Sequence, residues 1–266
     1  MALPAPQVAA GISYREAGRN DAPALVLLHG IGSTSAAWTE QFGPLGERFR
    51  VIAWTAPGYD RTPPLPAAAP SAADYAAALA RLLDALRVER ADVVTSSWGT
   101  LVGLAFASAH PARVRALVLG GPSAGAHGRT AEECTRLAEE RIERMRRLGP
   151  QAQRLEDIPR LLSESARPEA RAALAGAREH PTVEGYVQAL RMLYATDGVQ
   201  LIKGLSQPVL VVSGTEDRTT PPEAHARKLQ AAARNARFEA IEGCGHLPHL
   251  EKPERFNALA LGFLAA

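Results

Sequence analysis

Residues 91 to 109, Ala-Asp-Val-Val-Thr-Ser-Ser-Trp-Gly-Thr-Leu-Val-Gly-Leu-Ala-Phe-Ala-Ser-Ala, leave the chain few ways to fold. The stretch opens as a buried strand, Asp92 to Thr95, and turns into a helix of small residues from Trp98 onward. Only Ser96-Ser97-Trp98-Gly99 lies between them, too little for an ordinary loop. A serine in so sharp a turn points its hydroxyl outward above the sheet edge. The following helix brings unpaired N–H groups and a partial positive charge beneath it. That setting suits a nucleophile whose attack creates an oxyanion. The same four residues, taken alone, also read as a helix N-cap, since serine is a preferred cap.

The register favours Ser97 over Ser96. With Ser97 at the turn, the crowded position two residues on is Gly99; with Ser96 there, it would be Trp98. A side chain at that position would jam the helix against the strand.

Around this turn the chain alternates strand and helix. Ile12–Ala17 reads as an early strand, Ala24–Leu28 as a strand buried on both faces, and Val51–Trp54 as the next. Ser71 to Arg87 carries a helical stripe, Tyr75, Leu79, Leu82, Leu83 and Leu86, with Ser71 as cap and Asp74 closing a loose capping box. Val114–Leu119 is a further strand. From Ser123 to about Ser206 the alternation gives way to helical composition with breakers near Gly149-Pro150, Pro159, Pro168 and Pro181. Arg141, Arg144, Arg146 and Arg147 in that stretch read as a solvated helix face. The alternation resumes with strand Val209–Val212, helix Pro222–Ala233, strand Phe238–Ile241 and helix Pro253–Leu264. This pattern predicts an α/β fold with a mostly parallel, doubly wound sheet. Residues 1–122 and 206–266 would form the core, and 123–205 an inserted helical cap.

Bulk properties exclude several function classes. A net charge of +2, with basic and acidic residues interspersed, argues against nucleic acid or a membrane surface as partner. Cys134 and Cys244, the two cysteines of the chain, fit neither a metal cluster nor a disulfide framework and read as free thiols. The first ten residues lack a basic region followed by a continuous apolar run, and no apolar run reaches the roughly 18 residues of a membrane span. The expected location is therefore cytoplasmic, and oligomeric state is open.

Serine at neutral pH needs a base, and the base an orienting acid. Asp217 follows the strand-to-loop sequence Val211-Val212-Ser213-Gly214-Thr215-Glu216, where Glu216 is an adjacent competitor. His246 follows Ile241-Glu242-Gly243-Cys244-Gly245. In a doubly wound sheet the carboxyl-terminal strand ends line one crevice, so Ser97, Asp217 and His246 can meet there, in the chain order of one hydrolase class. His29-Gly30-Ile31-Gly32 ends another strand, and its flanking glycines let a backbone amide turn toward a ligand.

These residues resemble the α/β-hydrolase fold family, serine hydrolase branch with a helical cap. Gly245-His246-Leu247-Pro248-His249-Leu250-Glu251-Lys252-Pro253-Glu254, with Phe256 following, is similar to the family's Gly-His…Glu-x-Pro-x-x-Phe segment. Gly214-Thr215-Glu216-Asp217 resembles its acid loop, and His29-Gly30-Ile31-Gly32 followed by Trp38 its oxyanion loop. The resemblance implies that Ser97 attacks a carbonyl while His246 takes its proton and Asp217 holds the imidazole. It also implies that the backbone N–H groups of Ile31 and Trp98 receive the oxyanion, and that no cofactor or metal is needed. His29 would brace the oxyanion loop, while His249 and Cys244 would pack.

Three positions depart from the family pattern. Thr95 stands where the turn usually has glycine, Thr55 where aspartate is frequent, and Asp60-Arg61-Thr62 where a loop usually closes Gly-x-Ser. The first predicts a tighter turn and a slightly shifted serine. Leu247 after the histidine makes the tail look like esterases and enol-lactone hydrolases, so ester or lactone hydrolysis of a small molecule is expected, with carbon–carbon bond hydrolysis of a ring-cleavage product second. A non-catalytic ligand receptor of the same fold is the reading of another class; Thr95 is the feature in its favour.

Overall fold

The computed structural model describes residues 3–265; Met1, Ala2 and Ala266, at the two ends of the expected core, lie outside it. Its strands are β1 (Gln7–Ala9), β2 (Ile12–Ala17), β3 (Ala24–Leu28), β4 (Arg50–Trp54), β5 (Ala91–Ser96), β6 (Val114–Gly120), β7 (Val209–Gly214) and β8 (Ala236–Ile241). They form one 8-stranded sheet in the order β1-β2-β4-β3-β5-β6-β7-β8. β1–β2 and β2–β4 pair antiparallel, and every later pair is parallel.

The helices are α1 (Thr39–Gly46), α2 (Ala72–Ala85), α3 (Gly99–Ala109), α4 (Ala131–Leu161), α5 (Pro168–Ala175), α6 (Val183–Ala195), α7 (Gly198–Lys203), α8 (Ala226–Ala232), α9 (Pro248–Glu251) and α10 (Pro253–Leu264). Side-chain alternation along the strands divides the core between two faces. Val26, Leu28, Ile52, Trp54, Val93, Leu117 and Val211 pack with α2, α3, α6, α7 and α8. Leu25, Leu27, Val51, Ala53, Val94, Val118 and Val212 face α1 and α10. Burial on both faces is why the central strands read as unbroken apolar runs.

The Ser71–Asp74 capping box forms as expected: the Ser71 N–H donates to Asp74 Oδ2 at 2.7 Å, and the Asp74 N–H to Ser71 Oγ at 3.3 Å. Other elements depart from the sequence pattern. β1 was not anticipated; it joins β2 through Ala10 and Gly11, both left-handed at φ +49° and +74°. Two left-handed residues make a tight hairpin, a turn usually announced by Asn-Gly or Asp-Gly, and alanine hid it. Helix α8 begins at Ala226 rather than Pro222, because residues 221–225 are tied in turns to the Pro221 carbonyl. The expected break at Gly149-Pro150 is a kink inside α4: Gly149 turns left-handed at φ +75° and Pro150 begins the second half, where its missing N–H costs nothing.

The helical stretch between β6 and β7 does not pack only on itself. Tyr186, Val187, Leu190 and Leu193 of α6 join the same apolar cluster as Trp98 and Leu101, while α7 packs on α3 and α8. Among the described residues, no helix is long and apolar enough to cross a membrane.

Candidate active site

The turn after β5 is compressed from both sides. Ser97 adopts a left-handed φ of +51°, a conformation that costs a non-glycine residue about 1–3 kcal/mol. Its N–H donates to the Gly120 carbonyl at 3.1 Å, and its own carbonyl accepts from Thr100 N–H at 3.0 Å. A Cβ placed on Gly99 would lie 2.5 Å from the Leu28 carbonyl oxygen, so the helix approaches β3 only because Gly99 has none. This backbone contact fixes Ser97, not Ser96, at the turn. The Ser96 hydroxyl is buried without a partner.

Thr95 is accommodated rather than disruptive. Its methyl stands where a Cβ on Gly103 would come within 2.8 Å, and its hydroxyl pairs with Thr100 Oγ1 at 3.1 Å. The loop positions are likewise re-bonded: Thr55 Oγ1 donates to Ser35 Oγ at 2.9 Å, and Thr62 Oγ1 to the Thr55 carbonyl at 2.9 Å.

The ends of β7 and β8 deliver the other two groups. A Cβ on Gly214 would sit 2.1 Å from the Cys244 carbonyl oxygen, which is how closely the two loops press together. Ser97 Oγ lies 2.8 Å from His246 Nε2, and His246 Nδ1 lies 2.8 Å from Asp217 Oδ2. His246 is 2% exposed and Asp217 4%, so the chain of bonds runs through dry protein. Asp217 Oδ1 accepts the N–H groups of Thr219 and Thr220, each at 2.8 Å, and Oδ2 accepts the Thr220 hydroxyl at 2.8 Å. Burial alone pushes the Asp217 carboxyl up. The adjacent His246 imidazole and the Thr220 bonds more than offset this and hold it below the usual carboxylate range.

Thr220 is a residue the sequence pattern did not bring forward. Its Oγ1 is also 3.1 Å from His246 Nδ1, so it braces the acid and the imidazole together. The available signal was an Asp followed by Thr-Thr, which reads as a local turn. Glu216, the rejected competitor, is exposed.

His29 is buried between two backbone groups. Its Nε2 accepts the Ala56 N–H at 3.0 Å, which places the proton on Nδ1, donating to the Gly30 carbonyl at 2.8 Å. Burial lowers its pKa to about 4, so it braces the Gly30–Gly32 loop as a neutral ring. Ile31 of that loop lines the same cavity as Ser97 and His246. Trp98 turns its indole away from the cavity, donating from Nε1 to the Ala189 carbonyl at 3.0 Å. Cys244 is wholly buried in the core. His249 packs 4.5 Å from the Trp38 ring.

The His246 loop is also tied to the helices above the sheet. Its N–H donates to the Leu161 carbonyl at 2.9 Å, and buried Glu251 accepts the Ser163 N–H at 2.9 Å. Between these layers lies a cavity of about 500 Å³, floored by Ser97 and His246 and roofed by α4 and α6. Such a volume suits a small-molecule ligand. Among the described residues no cluster of three or more His, Cys, Asp or Glu could hold a metal ion.

One basic residue does not lie where its cluster predicted. Arg146 and Arg147 are exposed, and Arg144 pairs with Glu156 and Asp157. Arg141 instead lines the cavity, because it falls on the same face of α4 as buried Ala138, Ile142 and Met145.

The family model described as alpha/beta hydrolase fold matches residues 23–253. The chain belongs to the α/β-hydrolase family. Within it, a 2-hydroxy-6-oxo-6-phenylhexa-2,4-dienoate hydrolase of Comamonas testosteroni is 28% identical over 266 residues, 95% of this chain and 91% of that protein. An esterase of Thermogutta terrifontis is 27% identical with a TM-score of 0.85, covering 99% of this chain and 98% of its own. The enol-lactonase of Burkholderia xenovorans superposes equally well, TM-score 0.85 over 98% of this hydrolase-family chain and 100% of the other, at 24% identity, a likeness of fold.

Proposed function

We propose that this chain is a serine hydrolase of small-molecule carboxylic esters or lactones, working through an acyl-enzyme on Ser97. The observation that carries the reading is the unbroken bond chain Ser97 Oγ–His246–Asp217, at 2.8 Å and 2.8 Å, opening onto the cavity. The 27% identity to an esterase over nearly the whole chain supports the choice of bond.

In this mechanism His246 Nε2 accepts the hydroxyl proton as Ser97 Oγ adds to the carbonyl carbon. Asp217 keeps the other proton on Nδ1 and stabilises the imidazolium. The backbone N–H groups of Ile31 and Trp98 receive the negative oxygen. His246 then gives its proton to the leaving alcohol, or to the ring oxygen of a lactone. A water deprotonated by His246 attacks the acyl-enzyme, and Ser97 leaves with its proton restored.

Carbon–carbon hydrolysis is the second reading, favoured by the 28% identity to a dienoate hydrolase. A panel of p-nitrophenyl esters, γ- and δ-lactones and 2-hydroxy-6-oxo-6-phenylhexa-2,4-dienoate separates the two. Turnover of esters or lactones well above the dienoate, lost in Ser97→Ala and His246→Ala, is expected. The reverse order would install the second reading. Binding without turnover of any of them would install a receptor.

A further inference from the structure

Arg141 is a charge in the cavity that the proposed chemistry does not use. Among the described residues its guanidinium forms no ion pair. Its partners are the phenol oxygens of Tyr186 at 3.2 Å and Tyr194 at 3.4 Å. A guanidinium partly withdrawn from water normally finds a carboxylate, because leaving it without a counter-charge is costly. The carboxylates that line this cavity are already engaged: Glu40 with Arg167 at 3.4 Å, Asp157 with Arg144 at 2.8 Å, and Glu179 with Arg15 and Thr34. Arg154, the other half-buried arginine of the cavity, spends its donors on the Ala177 and Glu179 carbonyls at 2.6 and 2.8 Å. Arg141 is left.

Two neighbours complete the arrangement. Gln153 is 3% exposed, and its amide oxygen Oε1 has no partner. Its Nε2 donates to the Tyr186 hydroxyl at 2.5 Å. The phenol oxygen therefore accepts from both Gln153 and Arg141, and its own O–H proton is the group left to donate. The Tyr186 ring also stands over the loop beside Ser97: a Cβ on Gly32 would be 3.8 Å from its edge.

We propose that Arg141, beside a Tyr186 hydroxyl that Gln153 orients, is a specificity residue that binds a carboxylate on the substrate, so that the preferred esters or lactones are anionic. A half-buried guanidinium beside the Tyr186 hydroxyl matches a carboxylate, which it grips through two parallel bonds. The substrate class rests on the hydrolase reading, but binding at the subsite does not.

The test compares kcat/KM for mono-p-nitrophenyl adipate and its methyl-capped counterpart. In the native protein the anion is preferred by roughly ten- to a hundredfold, the usual worth of a charged hydrogen-bonded contact. Arg141→Met removes that preference through KM, lowering kcat/KM for the anion by far more than for the capped ester; Arg141→Lys keeps part of it. The ratio of two substrates in one preparation cancels any loss of folded protein. Calorimetric titration of Ser97→Ala protein with monomethyl adipate reads the subsite without chemistry, and adding Arg141→Met weakens that binding by a similar factor. A ratio unchanged by Arg141→Met, or monomethyl adipate binding unchanged by it, overturns the subsite. Binding that depends on Arg141 without turnover of either ester retains the subsite and overturns the hydrolase reading.

Discussion

Thr95 and Gly103 are a matched pair: the Thr95 methyl fills the space that a Cβ on Gly103 would need, 2.8 Å away. The branched residue at the turn is tolerated because the helix gives up a side chain one turn along. Gly103→Ala should therefore cost about 1–3 kcal/mol through overpacking. In a Thr95→Ser background, which removes the methyl but keeps the hydroxyl beside Thr100, the same change should cost much less. A double-mutant cycle by urea unfolding measures the coupling; additive costs would mean that the two side chains do not compete.

Ser97 carries backbone strain that any L side chain shares, at φ +51°. Ser97→Gly should be more stable than Ser97→Ala by about 1 kcal/mol, since only glycine relieves left-handed strain. Thermal unfolding of the two variants checks this, and equal melting temperatures would place no strain at the turn.

Thr220 bonds Asp217 at 2.8 Å and stands 3.1 Å from the imidazole, which makes it a positioning residue. Thr220→Val should lower kcat roughly tenfold, the scale of one hydrogen bond to a charged group, with KM little changed. Thr220→Ser should restore the rate. A uniform loss in both variants would indicate packing alone. Asp217→Asn should cost far more, roughly three to four orders of magnitude in kcat, because it leaves the imidazole in the wrong tautomer.

His249 is held neutral by burial, its pKa lowered from 6.5 to about 3, with His246 nearby adding to the effect. In the unfolded chain the ring protonates near its ordinary value. Between pH 6.5 and 3 the unfolded state thus binds one more proton, and stability falls as the pH falls. The slope from this group is about 1.4 kcal/mol per pH unit. His249→Leu should flatten the decline of urea midpoints across that window; an unchanged slope would mean that the buried ring does not resist protonation.

Much of the site was legible because backbone geometry dictated its residue types. Gly99, the strand end at Gly214 and the loop glycines before His246 announce close approaches that only glycine permits, and they carry Ser97, Asp217 and His246 to one sheet edge. Thr220 and Arg141 were not legible. A threonine in a polar turn looks the same whether or not it bonds a neighbouring aspartate. Arg141 sits among arginines that do face solvent, and only the i+3 and i+4 spacing to Ala138 and Met145 separated it from them. Strand β1 escaped because its hairpin uses alanine where asparagine or aspartate is the usual marker.

Labelling with a fluorophosphonate, followed by mass mapping of the modified peptide, tests the central claim most directly. An activated serine yields a single adduct on Ser97, absent in Ser97→Ala and strongly weakened in His246→Ala. No adduct on folded protein, or an adduct on Ser96, would contradict the account.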